Sequence, residues 1–212
     1  MKNKKLLIIT IIYLILSVDL FSQEINFKAK KMDIKDGGDT ILAYFSETKI
    51  PDKNINITSN KVTYNKKTET IIFSDEGVFK DNENLITIES NKIKYERKKD
   101  LVYSHGNTTI IIKNNYKINS KNIYFDRNQQ IIYGNKKAVI YDSEDNIFEL
   151  SDKFKINLID ETIKAKNALI KDKYKNQYSF EDLMVDLKNN EILGKELNIN
   201  FKKSYFGNEK ND

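Results

Sequence analysis

Apolar and polar residues alternate along most of this chain with the period of two that is typical of a half-buried β-strand. In the stretch IESNKIKY, residues 88–95, the alternation changes phase, because Ile88 lies on one side of the strand and Ile93 on the other. The stretches ITSNKVTY (57–64) and INSKNIYF (118–125) show the same change. We expect a bulge or sharp bend at each such point, so that apolar side chains before and after it face one interior.

The stretch belongs to a repeat in the order apolar, any, small, polar, polar, apolar, any, apolar. Copies recur every 14 to 17 residues from residue 57 onwards, and an earlier copy covers residues 27–34. The third position is small in nine of ten copies, Phe180 being the exception, and we predict that it marks a strand corner where a larger side chain would collide with the neighbouring strand. The predicted corner residues are Ser59, Ser74, Ser90, Ser104, Ser120, Gly134, Ser151, Ala165 and Gly194.

Polar segments with turn-forming residues separate the strands, for example NKKTET (65–70) and DRNQQ (126–130). Such short connections join antiparallel neighbours, because a parallel crossover needs a dozen or more residues. The sequence therefore predicts an all-β fold: an antiparallel meander of roughly 10–13 strands that folds over, so that bent strands serve two sheets with one interior. Two other interpretations stay open, a plain β-sandwich with no groove and a parallel β-helix.

The N-terminus has the pattern of a signal peptide. Lys2, Lys4 and Lys5 precede 13 apolar residues, a run of the length of a signal-peptide core and short for a membrane span. We expect cleavage after Ser22, and the alternative is a retained single-pass anchor. The predicted organisation is a signal peptide at 1–22, an all-β domain at 23–203, to which the family resemblance described below gives a β-jelly-roll form, and a polar tail at 204–212.

Composition argues against several function classes. The 36 basic and 31 acidic residues are interspersed, with a net charge of +5 and no basic block, so we predict no nucleic-acid partner. The acidic clusters lack the spacing of a calcium loop, His105 is the single histidine, and no nucleotide or nucleophile motif occurs. We therefore expect no catalytic residues, no metal site and no cofactor, and we interpret the protein as a non-enzyme.

Two alternating elements resemble the OstA-like (organic solvent tolerance) family of the lipopolysaccharide transport machinery. SNK (59–61 and 90–92) and SDK (151–153) look like its Ala-Asp-Lys element, while HGN (105–107) and YGN (133–135) look like remnants of its Gly-Asn-Val element. EGV at residues 76–78 is a third such remnant. The resemblance extends over about residues 25 to 201.

The resemblance implies a V-shaped β-jelly roll that shelters the acyl chains of lipopolysaccharide. It also implies end-to-end stacking with other OstA-like transport proteins through terminal edge strands, here residues 25–34 and 197–201. The pattern is closest to a soluble periplasmic bridge or to the periplasmic N-terminal domain of the outer-membrane translocon. A periplasmic location with the outer-membrane assembly machinery follows, with an inner-membrane-anchored export component as the alternative.

The apolar residues of the three strongest copies are the candidates for contact with lipid. The competing hypothesis is that the chain is a structural or adhesive β-repeat protein at the cell surface. The lipid-facing candidates are Ile57, Val62, Tyr64, Ile88, Ile93, Tyr95, Ile118, Ile123 and Phe125.

Overall fold

A computed structural model describes residues 24–202 of the protein. The described residues form 17 β-strands and three short 3₁₀ turns. The predicted signal peptide and the predicted polar tail lie outside the described residues, as does residue 203. The all-β prediction is confirmed.

The strands are β1 (Asn26–Lys28), β2 (Lys31–Lys35), β3 (Thr40–Ile50), β4 (Ile55–Asn65), β5 (Thr70–Asp81), β6 (Ile86–Glu96), β7 (Leu101–Ile112), β8 (Tyr116–Lys121), β9 (Tyr124–Asp126), β10 (Ile131–Gly134), β11 (Ala138–Tyr141), β12 (Ile147–Leu150), β13 (Phe154–Asn157), β14 (Thr162–Lys171), β15 (Gln177–Asp186), β16 (Glu191–Lys195) and β17 (Asn198–Asn200). The 3₁₀ turns are Asp36–Gly38, Pro51–Lys53 and Arg97–Lys99.

The strand count exceeds the predicted 10 to 13 because some predicted strands are interrupted at their corner. The interrupted pairs are β1/β2, β8/β9, β10/β11, β12/β13 and β16/β17. If each interrupted pair is counted as one segment, residues 24–202 contain twelve strand segments. Each segment pairs antiparallel with its sequence neighbours, for example β4 with β3 and β5, so the predicted meander is confirmed.

Every segment crosses from one half of the folded sheet to the other. Leaf 1 contains β2, β9, β10, β13 and β16, and leaf 2 contains β1, β8, β11, β12 and β17. The longer strands β3 to β7, β14 and β15 each contribute one end to each leaf. The two leaves face each other across an apolar core, as expected for a β-jelly-roll-like fold.

The phase change read from the sequence is visible in the burial pattern. In β4, Ile57 and Ser59 are buried and so are Val62 and Tyr64, which means that the inward face changes from odd to even positions between them. The pairing of β4 with β5 shifts register between Thr58 and Lys61. Strand β6 repeats this arrangement, so a local bulge lets one strand face inward in both leaves.

A residue with positive φ accompanies five of the nine predicted corners and a further corner at Ala43, a feature that sequence reasoning missed. It follows a small residue by two positions and lies in the left-handed region, and at Glu76 and Gly106 it coincides with a register shift between strands. Phe45, with φ of 50°, is the most unusual of them, because a bulky side chain rarely adopts this conformation. The pairs are Ala43/Phe45, Ser74/Glu76, Ser104/Gly106, Ser120/Asn122, Ala165/Asn167 and Gly194/Glu196.

The corner residue Ser90 offers a direct test of the bulge. Its side chain is 7% exposed, and its Oγ donates to the carbonyls of His105 and Asn107, each at 3.1 Å. We expect Ser90→Leu to lower the free energy of unfolding by about 3 kcal/mol, because it overpacks the corner and leaves those carbonyls without their donor. Urea denaturation measures the loss.

Ser151→Leu is the matched control, because Ser151 occupies the same position in the repeat but is exposed. We expect a change within about 0.5 kcal/mol there. Equal effects at both positions would contradict the corner role of Ser90.

Candidate functional site

The nine candidates for contact with lipid lie in the core between the leaves. Eight are at most 2% exposed and Tyr64 is 9% exposed. Large aromatic side chains pack among them, such as Phe79, whose ring centroid is 5.7 Å from that of Tyr95. In this conformation they contact one another, and their contact with lipid stays a prediction.

The nine predicted corner residues divide into three groups by exposure. Ser59, Ser90, Ser104, Gly134 and Ala165 are buried, Ser74 and Ser120 are half-buried, and Ser151 and Gly194 are exposed. The predicted restriction of corner positions to small side chains applies even at an exposed corner, since a Cβ added to Gly194 would lie 2.2 Å from the Phe180 ring. Phe180, the large residue in the repeat, therefore fills space that a glycine on the next strand leaves free.

The turns at the strand ends opposite the corners form two margins, one on each leaf, and these margins meet. Within each margin the turns are linked by backbone hydrogen bonds. On leaf 1, Arg127 N donates to the Asp100 carbonyl at 3.0 Å, and on leaf 2, Lys113 N donates to the Leu85 carbonyl at 2.9 Å. Each margin is therefore an ordered edge rather than a set of independent loops.

Arg127 connects the two margins. Its Nε donates to Asp81 Oδ2 of leaf 2 at 2.7 Å, and its Nη1 donates to Asp100 Oδ1 of leaf 1 at 2.8 Å. Its Nη2 donates to the carbonyl of Lys53 on leaf 2 at 3.0 Å. The side chains of Arg127 and Asp81 are 3% and 0% exposed, so this ion pair is shielded from water and holds the leaves closed at this level.

Asp100 joins this ion-pair network to the core. It accepts a hydrogen bond from Tyr95 Oη at 2.6 Å, and its Oδ2 lies 3.0 Å from Lys53 Nζ. Burial alone would raise the pKa of Asp100, but hydrogen bonds from Tyr95, Arg127 and Lys53 outweigh it and hold the pKa below its usual range. Burial, together with the hydrogen bond to Asp100, raises the pKa of Tyr95, which keeps its hydroxyl protonated as a donor.

Sequence reasoning missed this network, because it assigned both arginines to polar turns. A compositional signal was present: the chain has only two arginines, Arg97 and Arg127, among its 36 basic residues. Both are buried on the leaf 1 margin, and Arg97 Nη2 lies 3.7 Å from Asp52 of leaf 2. A planar, weakly hydrated guanidinium suits a buried ion pair better than lysine does, which explains arginine at these two sites.

Beyond the network, a cavity of ≈ 290 Å³ lies between the leaves. Eight of its twelve lining residues are apolar, and the exposed ion pair between Lys113 Nζ and Glu161 Oε1, 2.6 Å apart, borders it. Burial raises the pKa of the lining residue Tyr116, and the charges of Asp142, Glu161 and Glu144 add to this. The apolar lining residues are Ile112, Tyr116, Ile118, Ile140, Ile156, Leu158, Ile163 and Leu187.

The apolar interior continues to both ends of the sheet. At the N-terminal end, Met32 and Ile34 pair with the inward positions Ala43 and Ile41, yet they are exposed. At the C-terminal end, Ile192 pairs with the buried Val185 and is 49% exposed. Directly opposite residues share one face of a sheet, so these exposed side chains belong to the interior face.

The His, Asp and Glu side chains of the described residues are dispersed over the surface and the strand ends. Within residues 24–202, no cluster of three or more His, Asp or Glu side chains is arranged to hold a metal ion. His105 lies on an exposed strand position beside Tyr103. The same residues contain no helix that is long and apolar enough to cross a membrane.

No protein-family model matches the chain, and no curated protein matches it. Among solved structures, the chain is similar to LptH, the LptA-homologous periplasmic component of the conserved lipopolysaccharide transport device from Pseudomonas aeruginosa. The identity is 15%, the TM-score is 0.47, and the likeness covers 52% of this chain and 80% of LptH. A likeness of this degree does not assign the chain to a family.

The ion-pair network predicts a large effect at Arg127. We expect Arg127→Met to lower the free energy of unfolding by about 3–5 kcal/mol, because it leaves the carboxylates of Asp81 and Asp100 without their main partner. Lys113→Met is the control, because it breaks an exposed ion pair between the same two margins. We expect it to lower the free energy of unfolding by less than about 1 kcal/mol. Urea denaturation of both variants distinguishes them, and similar losses would show that the buried network does not hold the leaves.

Asp100 predicts a dependence of stability on pH. Its folded pKa lies below the unfolded value of about 3.9, so its stabilising contribution is complete above that value and is lost as the pH falls through the folded pKa. We expect the wild type to lose more stability than Asp100→Asn between pH 6 and pH 2, measured by urea denaturation. Glu181→Gln, which removes an exposed carboxylate, is the control. Parallel curves for wild type and Asp100→Asn would contradict this role.

Proposed function

We propose that this chain is a non-enzymatic lipid-transport module that shelters the acyl chains of lipopolysaccharide between its two leaves. The observation that carries the proposal is the apolar interior that continues uncovered to both ends, at Ile34 on β2 and at Ile192 on β16. An acyl chain crossing water must keep its methylene groups buried, each worth about 0.8 kcal/mol. An interior open at two ends provides that shelter together with a way in and a way out.

The cavity beside Lys113 and Glu161 supports the same proposal. It is unfilled space between the leaves, and its wall contains Ile118, one of the predicted lipid-facing residues. The core around Tyr95 is closely packed and is closed by the Arg127 network. Acyl chains therefore occupy the part of the interior that includes the cavity first, and the eight candidates other than Ile118 contact lipid only if the leaves separate.

The terminal strands supply the surfaces for stacking with similar OstA-like domains. Within residues 24–202, β1 and β2 pair only with β3, and β16 and β17 pair only with β15. Their outer edges therefore have backbone groups available for a partner strand. Exposed apolar residues at both ends, such as Ile34 and Leu193, would be covered by that partner. We place the module in the periplasm, and a mature N-terminus at Gln23 would exclude the anchored alternative.

One observation favours the adhesive alternative. A groove of ≈ 950 Å³, which we call the polar groove for its amide and hydroxyl side chains, includes Asn91, Asn107, Thr109 and Asn119 among its lining residues. Amide and hydroxyl groups of this kind can bind the hydroxyl groups of an external glycan. This function would use the polar groove and leave the interior without lipid.

Photo-crosslinking in cells tests the transport function. We expect a photo-reactive amino acid at Tyr116, in the cavity, to form an adduct with lipopolysaccharide, because the acyl chain lies against this wall. Tyr141 is the control, since it is exposed and paired with Lys117 on β8, outside the cavity lining. The same amino acid at Ile34 should capture a second OstA-like domain, identified by mass spectrometry.

The absence of lipopolysaccharide adducts at Tyr116, in a variant that is exported and folded, would overturn the acyl-chain function. Equal adducts at Tyr116 and Tyr141 would do so as well, because they would show non-specific contact with lipid.

A further inference from the structure

A groove of ≈ 610 Å³ crosses strands β13 to β16 near their corners. Its floor is backbone, and outward-facing side chains from neighbouring strands line its two sides. We call it the lysine groove because five lysines line it. The lining residues are Lys153, Phe154, Lys155, Lys164, Ala165, Lys166, Asp182, Leu183, Met184, Leu193, Gly194 and Lys195.

The charges of the lysine groove are poorly balanced. Five lysines and one carboxylate, Asp182, are among its lining residues, and Asp182 Oδ1 lies 3.9 Å from Lys166 Nζ. Three further carboxylates, Asp152, Glu181 and Glu196, are adjacent in sequence to lining residues but do not line the groove themselves. The groove is therefore a local excess of positive charge on a chain whose charges are otherwise intermixed.

Two of these lysines lie in an electrostatically unfavourable arrangement. Lys155 and Lys164 lie directly opposite each other in the pairing of β13 with β14. Like charges in this arrangement repel, and neither lysine forms an ion pair with another residue of the described chain. An anion bound between them would convert the repulsion into two favourable contacts.

The groove also has an apolar component, which distinguishes it from a simple anion site. Met184 and Leu193 lie opposite each other on β15 and β16 in the row that contains Lys164. Leu193 is 56% exposed, and its neighbour Ile192 belongs to the uncovered interior at the C-terminal end. Positive charge on the outer face and the apolar opening on the inner face thus meet at the same edge strand, β16.

We propose that the lysine groove binds the phosphate-bearing headgroup of an amphiphilic lipid at the C-terminal opening of the interior. This inference rests on the proposed function, because that function brings the acyl chains to the opening. The occupant follows from charge complementarity: a phosphate group matches several ammonium groups, and the lipid stem matches Met184 and Leu193.

Two synthetic single-chain lipids with the same acyl chain test the proposal below their critical micelle concentration. One has a phosphate monoester headgroup and the other a neutral glycerol headgroup. We expect the full-length wild type to bind the phosphate lipid at least about tenfold more tightly at low salt. The variant Lys155→Gln/Lys164→Gln/Lys166→Gln should lose this preference and keep its affinity for the neutral lipid.

The variant Lys28→Gln/Lys49→Gln/Lys80→Gln is the matched control, because it removes the same charge from exposed positions on strands of leaf 2. We expect it to retain the preference. An equal loss in both variants would show an effect of net charge and would overturn the proposal.

Other outcomes separate the headgroup site from the transport function. If both lipids bind with equal affinity, the acyl-chain function stands and the lysine groove is excluded as a headgroup site. If neither lipid binds, the proposed function fails and the headgroup proposal fails with it. If inorganic phosphate competes at the affinity of the phosphate lipid, the groove is an anion site without a lipid component, which also overturns the proposal.

Discussion

The fold depends on one constraint: each segment must turn its apolar side chains inward on both sides of a corner. In β4 and β6, strict alternation would place one of the two halves with its apolar face towards water, because the apolar positions change from odd to even or from even to odd at the corner. Residues such as Phe45 and Asn122, in the left-handed region, lie at such changes of the inward face, while β5 and β7 keep the same parity and contain the extra residue of the register shift. Small neighbours such as Ser90 and Ser104 let the next strand approach closely enough to pair. Two leaves with one shared interior are the result.

The leaves must also be joined on the side opposite the corners, where the turns of leaf 1 meet those of leaf 2. Arg127 joins them there, since its one guanidinium binds the carboxylates of Asp81 and Asp100 from opposite margins. A buried ion pair adds little net stability relative to apolar packing, but breaking it is costly. The network therefore fixes where the leaves are closed. Beside Lys113 and Glu161 the leaves enclose the cavity.

The meander also has two ends, and the proposed transport function depends on them. A closed barrel has no edge, whereas a folded meander leaves terminal strands with apolar side chains, such as Ile34 and Ile192, on an uncovered interior. Covering them requires a partner domain or a lipid. The lysine groove on β13 to β16 adds positive charge beside one of these openings, which couples headgroup binding to acyl-chain shelter in the proposed mechanism.

The sequence by itself determined the strands, the antiparallel meander and the inward position of residues such as Ile88 and Tyr95, because each depends on alternation and turn residues within about 15 positions. It did not reveal the corner at Phe45, since a bulky residue gives no signal for positive φ. Tertiary structure alone decided that Arg127 meets Asp81, 46 residues away, and that the cavity lies beyond them. These features depend on which turns meet across the fold, and periodicity along one strand contains no information about its distant partners.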